Sequence, residues 1–376
     1  MNERDAATRA ETVGSLLRPE QVIRAHRPGN DQPAEGIREI MDDAVIDAIR
    51  IQEAAGLDII TDGEMRRFSW AQTPRFLDCF EPRPGGTALS WHGGSGRMEL
   101  DPGVVFPSVV RRVRDAKRTA NMAGEYAFLT KHTQTRTKYS MAAPSYHRRY
   151  WSQVYSTEVY RDCEEYLGEI RDYEREVIAD LVALGCDYIQ LDAPNYGSLC
   201  DPGTRARMAG EGRDVAAELA FDAELDGSLF DGIANVTTAL HICRGNAPGG
   251  MWHSSGGYAA ISADMFPRVT FDRLLLEYDT ERAGGFEPLT DVRPGTVVVL
   301  GLLTTKSGQL ESEESVAARI AEAARLKPLS ELALSTQCGF ASGASGNPLT
   351  QAQQLAKLRL VADLAHRVWR PQHRAG

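Results

Sequence analysis

Eight apolar runs recur along the chain, and most of them are followed by an irregular loop and then by a stretch with helical periodicity. Several runs are almost continuously apolar, which is typical of parallel strands that are buried on both faces. The predicted strands are residues 11–16, 57–64, 137–144, 187–194, 236–245, 273–279, 296–305 and 331–339. Eight strands that alternate with helices predict an α/β protein with a (β/α)8 barrel, the TIM-barrel fold.

The stretches between the strands carry apolar residues at helical spacing. Helices are predicted within 36–56, 157–185, 311–326 and 349–369, and the first two end at Gly56 and Gly185. An open doubly wound sheet is the alternative, and it would need a glycine-rich phosphate loop after an early strand. The first strand is followed by LLRPEQV, without such a loop, and no P-loop motif occurs in the sequence. The pattern therefore favours the barrel.

Residues 76–136 interrupt this alternation. They contain the stretch EPRPGGTALSWHGGSGRMELDPG, which is rich in Gly and Pro, and then a strand-like EYAFLT at 125–130. We interpret 76–136 as an excursion between the second and third barrel strands, with a hairpin over the barrel mouth. The whole chain, 1–376, is interpreted as one domain.

Composition narrows the class of protein. The chain of 376 residues is 42% hydrophobic and 25% charged, so it can bury a large core. Its formal charge of −10 argues against nucleic acid as a partner. No apolar run is long enough to predict a membrane span, and the polar N-terminus does not resemble a secretory signal. We therefore expect a cytoplasmic protein whose six cysteines are reduced.

Metal-ligating side chains are predicted at the ends of three strands. His241 and Cys243 lie two positions apart at the end of the fifth strand, so both point to the same face. Glu277 ends the sixth strand and Cys338 the eighth. Barrel enzymes carry their active sites at this end of the strands. Two thiolates, one imidazole and one carboxylate form a ligand set suited to zinc.

Simpler interpretations of these residues remain open. A His-x-Cys pair in a buried strand can serve packing alone. Glu277 could form an ion pair with Arg273 or Arg282, and Cys338 could be a small buried apolar residue. A zinc-stabilised binding barrel without catalysis is a further alternative. Ligands from three separate strand ends at a barrel mouth favour a catalytic site, because structural zinc sites are closed and their ligands closely spaced.

With its surrounding motifs, the quartet resembles the catalytic barrel of cobalamin-independent methionine synthase and its shorter single-barrel relatives. The resemblance runs from about residue 11 to about residue 365. It implies that His241, Cys243, Glu277 and Cys338 bind a catalytic zinc ion. The implied activity is transfer of a methyl group to the thiol of homocysteine or a similar thiol.

The same resemblance implies a substrate pocket. Ser15 in TVGSLLRPE matches a serine that contacts the amino acid substrate, and Glu64 in TDGEMRR and Asp192 in IQLDAPNY match acids that hold its amino group. Carboxylates are suitable acceptors for a substrate ammonium group. Alternatively, Ser15 and Asp192 could be turn or helix caps, and Glu64 could pair with Arg66 or Arg67.

The chain also departs from the family pattern. Ala193 follows Asp192 where the synthases carry Glu, and Arg244-Gly245-Asn246 follows the His-x-Cys pair. The N-terminal barrel of the full-length synthases, which helps to hold polyglutamylated folate, is not part of this sequence. The alkyl donor therefore stays open between a methyl-folate, a methyl-corrinoid and an epoxide.

The epoxide belongs to the alternative activity, that of the epoxyalkane:coenzyme M transferase-like relatives, in which a thiol with a sulfonate group opens the ring. Cationic residues should then line the pocket, and the candidates are Arg244, Arg18, Arg66 and Arg67.

The segment MAAPSYHRRYW (141–151) lies where the family contacts its second substrate. His147 is a candidate proton donor, and Trp151 or Tyr146 could stack on a pterin ring, although packing roles are equally compatible with these positions. The expected partners are a small-molecule thiol and an alkyl donor, and homo-oligomerisation stays open.

Overall fold

Nine parallel strand segments form one sheet. The computed structural model describes residues 8–27, 33–71, 73–83, 90–93, 98–99, 106–118 and 122–369. The strands are β1 (Ala10–Glu11), β2 (Ile59–Ile60), β3 (in two pieces, Arg136–Thr137 and Tyr139–Ala142), β4 (Tyr188–Asp192), β5 (Thr237–Ile242), β6 (Arg273–Glu277), β7 (Val297–Leu303) and β8 (Leu332–Thr336).

The third strand closes the barrel. Its first piece pairs with β2 and its second with β4, while β1 pairs with both β2 and β8. Between the two pieces, the Lys138 N–H donates to the Ile60 carbonyl at 3.0 Å, so the strand is continuous in its hydrogen bonding. The nine segments thus make eight strands in a ring. This confirms the predicted (β/α)8 barrel.

Helices surround the barrel, and their ends follow local sequence rules. The long helix after β1 ends at Gly56, whose φ of 83° suits a residue without a side chain. Asp162 caps the helix after β3 by accepting the Glu165 N–H at 2.8 Å. The helices are α1 (Glu20–Ala25), α2 (Ala34–Ala55), α3 (Thr73–Phe76), α4 (Met122–Lys131), α5 (Cys163–Ala183), α6 (Pro194–Leu199), α7 (Pro202–Gly210), α8 (Val215–Ser228), α9 (Ser262–Met265), α10 (Glu313–Ala323) and α11 (Gln351–Trp369).

The excursion contains two short antiparallel pairs. Phe80–Pro82 pairs with Pro107–Val109, and Ser90–Trp91 pairs with Met98–Glu99. His92 forms a β-bridge to Trp252, which ties the second pair to the loop after β5. The excursion therefore reaches the barrel mouth. The remainder of the predicted hairpin, including 84–89 and 100–105, lies outside the described residues.

The prediction of a strand at EYAFLT (125–130) is wrong, because these residues belong to helix α4. Met122, Tyr126 and Leu129 are its buried positions, and their spacing of four and three residues places them on one helical face.

Polar and apolar residues alternate in layers inside the barrel. Along β6, Arg273, Leu275 and Glu277 point inward, two residues apart, so the strand carries a charge at its base, an apolar side chain in the middle and a carboxylate at the mouth. The inward apolar layer consists of Val13, Ile59, Tyr188, Ala239, Leu275, Val297, Val299 and Ala333. This layer separates two charged clusters in one barrel.

None of the six cysteines forms a disulfide bond. Among the described helices, none combines the length and the apolar character that a bilayer crossing requires. The assignment of the whole chain to one domain stays a prediction.

Candidate metal and thiol site

The four predicted ligands meet at the carboxyl ends of β5, β6 and β8. One ligand atom from each of His241, Cys243, Glu277 and Cys338 lies within 4.8 Å of all the others. The two sulfur atoms, Cys243 Sγ and Cys338 Sγ, are 3.6 Å apart. Glu277 and Cys338 are far in sequence from the His241–Cys243 pair, and the barrel fold brings the three strand ends together. This cluster could hold a metal ion.

The orientations of the side chains suit a metal ion. His241 Nδ1 lies 3.2 Å from the Leu275 carbonyl oxygen, so Nδ1 donates there and Nε2 keeps its lone pair. Within the described residues, His241 Nε2 and Glu277 Oε1 are buried without a hydrogen-bond partner. Buried polar atoms without partners are costly, and a cation between them would satisfy both.

Backbone groups support the cluster from behind. The Gly245 N–H donates to Cys243 Sγ at 3.2 Å, and the Arg244 N–H donates to Glu277 Oε2 at 3.2 Å. The Tyr258 hydroxyl accepts the Glu277 N–H at 2.9 Å. The loop after β5 therefore both supplies a ligand and fixes its neighbours.

The electrostatics of the cluster favour a cation. Burial raises the pKa of Glu277 to about 7, and the Cys338 thiolate adds to the effect, whereas Lys306 opposes it. The hydrogen bond from Cys243, together with His241, holds the pKa of the Cys338 thiol well below its usual range. Acidic groups are thus crowded in a buried space, where a cation would stabilise their charged forms.

A cavity of about 280 Å³ opens above the cluster. It brings together three of the ligands and all three residues predicted to contact the amino acid substrate, and Trp70, Trp91, Phe106 and Tyr146 supply aromatic walls. The ligands on its surface are His241, Cys243 and Cys338, and the predicted substrate contacts are Ser15, Glu64 and Asp192. Trp91 and Phe106 come from the excursion, which therefore covers part of the mouth.

Glu64 is held in an unusual backbone conformation. Its φ of 56° lies in the left-handed region, which costs a residue with a side chain of the order of 1–3 kcal/mol. Its Oε1 accepts from Ser140 Oγ at 3.2 Å and lies 3.8 Å from Arg67 Nη1, while Oε2 is buried without a partner among the described residues. A Cβ on Gly14 would come within 2.7 Å of Oε1, so only glycine leaves room for this carboxylate. Burial raises its pKa to about 7.

Asp192 is oriented by a chain of side chains that begins deep in the barrel. Lys138 Nζ donates to Gln190 Oε1 at 2.7 Å. An ammonium group cannot accept a hydrogen bond, so the Gln190 amide has only one possible orientation. Its Nε2 consequently donates to Asp192 Oδ1 at 2.7 Å. Burial raises the pKa of Asp192 to about 6.

Ser15 lies where the loops after β1 and β8 touch. Its Oγ accepts from the Ala341 N–H at 3.2 Å, and a Cβ on Gly339 would come within 2.1 Å of this Oγ. The hydroxyl therefore connects the two loops in addition to facing the cavity.

Comparison with known proteins agrees with this geometry. Residues 12–366 match the model of the cobalamin-independent synthase catalytic domain. The chain belongs to this family. An uncharacterized protein of Bacillus subtilis, YxjH, is 34% identical over 98% of this chain and 96% of its own. The 2-hydroxypropyl-CoM lyase of Xanthobacter autotrophicus is 24% identical over 83% of this chain and 82% of its own.

A crystal structure of a putative vitamin-B12 independent methionine synthase from Listeria monocytogenes has the same fold. It superimposes with a TM-score of 0.70 at 25% identity, and the match covers 96% of this chain and 98% of that one. The likeness to the family therefore extends over nearly the full barrel.

Not every residue predicted from the sequence reaches the cavity. Arg244 is fully buried beneath the cluster, where its Nη1 donates to the Glu277 carbonyl at 3.4 Å and its guanidinium lies 4.1 Å from the Tyr258 ring centre. It supports a ligand from behind and does not line the cavity. Its predicted contact with substrate finds no support in this position.

The other arginines proposed for a sulfonate group also have partners. Arg18 donates to three backbone carbonyls, Arg66 pairs with Asp42, and Arg67 Nη2 lies 3.0 Å from Glu125 Oε2. None of the three lines the described cavity wall. Arg282, an alternative partner for Glu277, lies at 4.0 Å, whereas Arg273 points to the opposite end of the barrel.

The segment after β3 folds as a 3-10 helix, Pro144–Tyr150, and this explains which of its residues face the cavity. Side chains three residues apart align on such a helix. Tyr146 and Arg149 line the cavity, whereas His147 is fully buried and its Nδ1 donates to the Ala143 carbonyl at 3.1 Å. Trp151 stacks near Tyr166. The structure thus does not bring His147 or Trp151 to the site.

Arg149 is a charged cavity residue that the sequence analysis missed. The sequence feature that could have identified it is its three-residue spacing from Tyr146. This spacing places both side chains on one face only if the segment forms a 3-10 helix.

Proposed function

We propose that the protein is a zinc-dependent thiol methyltransferase that moves a methyl group to homocysteine or a closely similar amino thiol. The observation that carries the proposal is the combination of two sites in one cavity. Three metal-ligating side chains lie at its base, and two buried carboxylates, Glu64 and Asp192, lie beside them. A molecule with a thiol at one end and an ammonium at the other fits this arrangement.

The ligand set favours zinc over other common ions. Thiolate and imidazole ligands exclude magnesium and calcium, which prefer oxygen, and methyl transfer to a thiol needs no redox metal. When bound, the ion would keep the substrate thiol deprotonated at neutral pH and therefore nucleophilic.

The chain's own residues bind and orient the substrate. Glu64 and Asp192 accept hydrogen bonds from the substrate ammonium, and the fixed Gln190 amide holds the Asp192 carboxylate in place. The substrate sulfur then attacks the methyl carbon of the donor. A sulfur–carbon bond forms, and the bond from that carbon to the donor breaks with its electron pair going to the donor.

Addition of a thiol to an epoxide is the second candidate, and it is favoured by the relative named 2-hydroxypropyl-CoM lyase. Coenzyme M carries a sulfonate and no ammonium group. Two buried carboxylates would repel a sulfonate beside them, so Glu64 and Asp192 favour an amino thiol. A binding barrel without catalysis is disfavoured because the cluster opens into a cavity.

Metal analysis and X-ray absorption test the proposal. The purified protein should contain about one equivalent of zinc, and homocysteine should add one sulfur to the ligand shell, whereas coenzyme M and glutathione should not. Methyl transfer to homocysteine is then assayed with 5-methyltetrahydrofolate and with methylcobalamin. The proposal would be contradicted if the protein bound no zinc, or if homocysteine left the zinc ligand shell unchanged. A response to coenzyme M alone would select the second candidate.

A further inference from the structure

A second cavity adjoins the thiol cavity. It measures about 510 Å³ and shares four lining residues with the first: Tyr146, Arg149, Pro194 and His253. Its remaining wall comes mainly from the helices after β4, α6 to α8, and it contains none of the metal ligands. The two cavities therefore meet at the 3-10 helix that follows β3.

Most cations around the second cavity are neutralised by carboxylates. Three of its four arginines form ion pairs with acidic side chains of the same region. These pairs are Arg148 with Asp222 at 2.5 Å, Arg207 with Glu211 at 2.8 Å and Arg213 with Glu218 at 2.5 Å. Their charge is already balanced, so they leave little positive potential for a ligand.

Arg149 is the exception, and it lies where the cavities meet. Its Nη1 donates to the Tyr146 hydroxyl at 2.6 Å, and its guanidinium lies 4.4 Å from the centre of the Phe106 ring. Within the described residues it has no carboxylate partner, and its Nε is buried without a hydrogen-bond partner. The aromatic contacts fix the guanidinium in position and leave its charge unbalanced.

We propose that Arg149 binds an anionic group of the alkyl donor, a carboxylate or a phosphate, and that the donor extends from this point into the second cavity. The inference rests on the proposed alkyl transfer. The anion is assigned to the donor because Arg149 lines both cavities, whereas the carboxylates Glu64 and Asp192, which fit an amino thiol, line only the first. A planar guanidinium is suited to bidentate binding of either oxyanion.

Steady-state kinetics of Arg149→Gln test the assignment. The KM for a donor with an anionic group, the glutamate carboxylates of 5-methyltetrahydrofolate or the phosphodiester of methylcobalamin, should rise about 10- to 100-fold, with the KM for homocysteine within about twofold of its original value. Arg149→Lys keeps the positive charge but lacks the planar guanidinium that binds an oxyanion through two hydrogen bonds. Its KM for the donor should therefore lie between those of the wild-type protein and Arg149→Gln. Arg112→Gln is the matched control, because Arg112 also stacks on an aromatic ring, at 4.5 Å from the Tyr160 ring centre, but pairs with Glu165. It should leave both KM values unchanged.

Crystals soaked in sodium selenate test the anion site without turnover. An anomalous peak should lie within hydrogen-bond distance of the guanidinium and disappear in Arg149→Gln. The absence of this peak in the wild-type protein overturns the anion site, and a rise in the homocysteine KM alone overturns its assignment to the donor. If selenate binds but the wild-type protein transfers no methyl group, the proposed function and the donor assignment fail together, and the anion site stands.

Discussion

Two charged clusters occupy the two ends of the same barrel, and they differ in how completely their polar atoms are paired. At the base, Glu11 accepts from Lys138 Nζ at 2.6 Å and from the Tyr188 hydroxyl at 2.9 Å, and its other oxygen accepts from Arg273 Nη2 at 2.8 Å. Although burial opposes it, Lys138 and Arg273 lower the pKa of Glu11 to about 2. Both oxygens of the Glu11 carboxylate are thus paired.

The mouth cluster is open. His241 Nε2, Glu277 Oε1 and Glu64 Oε2 are all buried without partners among the described residues. A buried polar atom without a partner costs about 1–3 kcal/mol, so the mouth lowers the stability that the base supports. The comparison indicates that the paired charges inside this barrel stabilise the fold, whereas the unpaired polar atoms at the mouth are available to a ligand.

The largest expected effect is at the base. Lys138→Met leaves the Glu11 carboxylate buried with one cation fewer, and we expect the free energy of unfolding to fall by about 3–5 kcal/mol. Denaturant unfolding followed by circular dichroism measures this loss. The double variant Glu11→Gln/Lys138→Met should recover part of it. If the single variant is as stable as the parent, the base cluster is not a stabilising element.

At the mouth, Cys338→Ser should remove function without unfolding the protein. We expect zinc content to fall to a small fraction of one equivalent and methyl transfer to fall at least about 100-fold, equivalent to about 2.7 kcal/mol. Cys186→Ser is the control, because Cys186 is buried outside the cluster and its Sγ donates to the Tyr188 carbonyl at 3.4 Å. Equal metal content in the two variants would mean that the cluster is a packing feature.

Glu64→Gln tests the role of the buried Glu64 carboxylate at the mouth. Loss of one carboxylate should raise the KM for homocysteine about 10- to 100-fold, because a hydrogen bond to a charged group contributes about 1.5–3 kcal/mol. Glu125→Gln perturbs the same neighbour, Arg67, but lies outside the cavity wall, and it should leave this KM within about twofold. Similar changes in both variants would indicate that Arg67 matters rather than Glu64.

The smallest expected effect is a pH dependence of substrate binding. Burial raises the pKa of Glu64 to about 7; Arg67 and Arg18 oppose this, and Asp192 and Asp62 add to it. The carboxyl group is neutral below this pKa and ionised above it, and only the ionised form pairs with an ammonium. The KM for homocysteine should therefore fall by up to about tenfold between pH 6 and pH 8, and not in Glu64→Gln. A flat profile in the parent enzyme would count against ammonium binding at this residue.

The pH dependence of stability runs in the opposite direction to that of substrate binding. Because the folded-state pKa of Glu64 lies above the ordinary value of 4.5, the folded protein binds more protons than the unfolded chain between pH 4.5 and about 7. The contribution of this group to stability therefore decreases as the pH rises through that window.

The sequence was sufficient for the barrel and for the four clustered ligands, since period-two spacing and strand ends determine both. His241 and Cys243 face one way because they are two residues apart, and barrel closure brings Glu277 and Cys338 beside them. The sequence was insufficient to predict the direction of a side chain that lies on an irregular backbone. Arg244 was misplaced for a different reason: it is the next residue after Cys243, so alternation already turns it to the opposite face, behind the cluster.

The excursion shows the same limit. EYAFLT was assigned to a strand from its apolar content, although its buried positions follow a helical spacing.

Arg149, in the segment after β3, was overlooked because its direction depends on a 3-10 helix, whose threefold repeat is short and carries little sequence signal.

The left-handed backbone at Glu64 has a consequence for protein engineering. A random library screened only for heat resistance should enrich Gly or Asn at position 64, because either residue relaxes the backbone at a φ of 56° and removes a buried carboxylate. Arg67 would still have Glu125 and the Ser140 carbonyl as partners. The most heat-resistant clones would then be poor catalysts, so a screen for robust variants of this barrel has to include turnover from its first round.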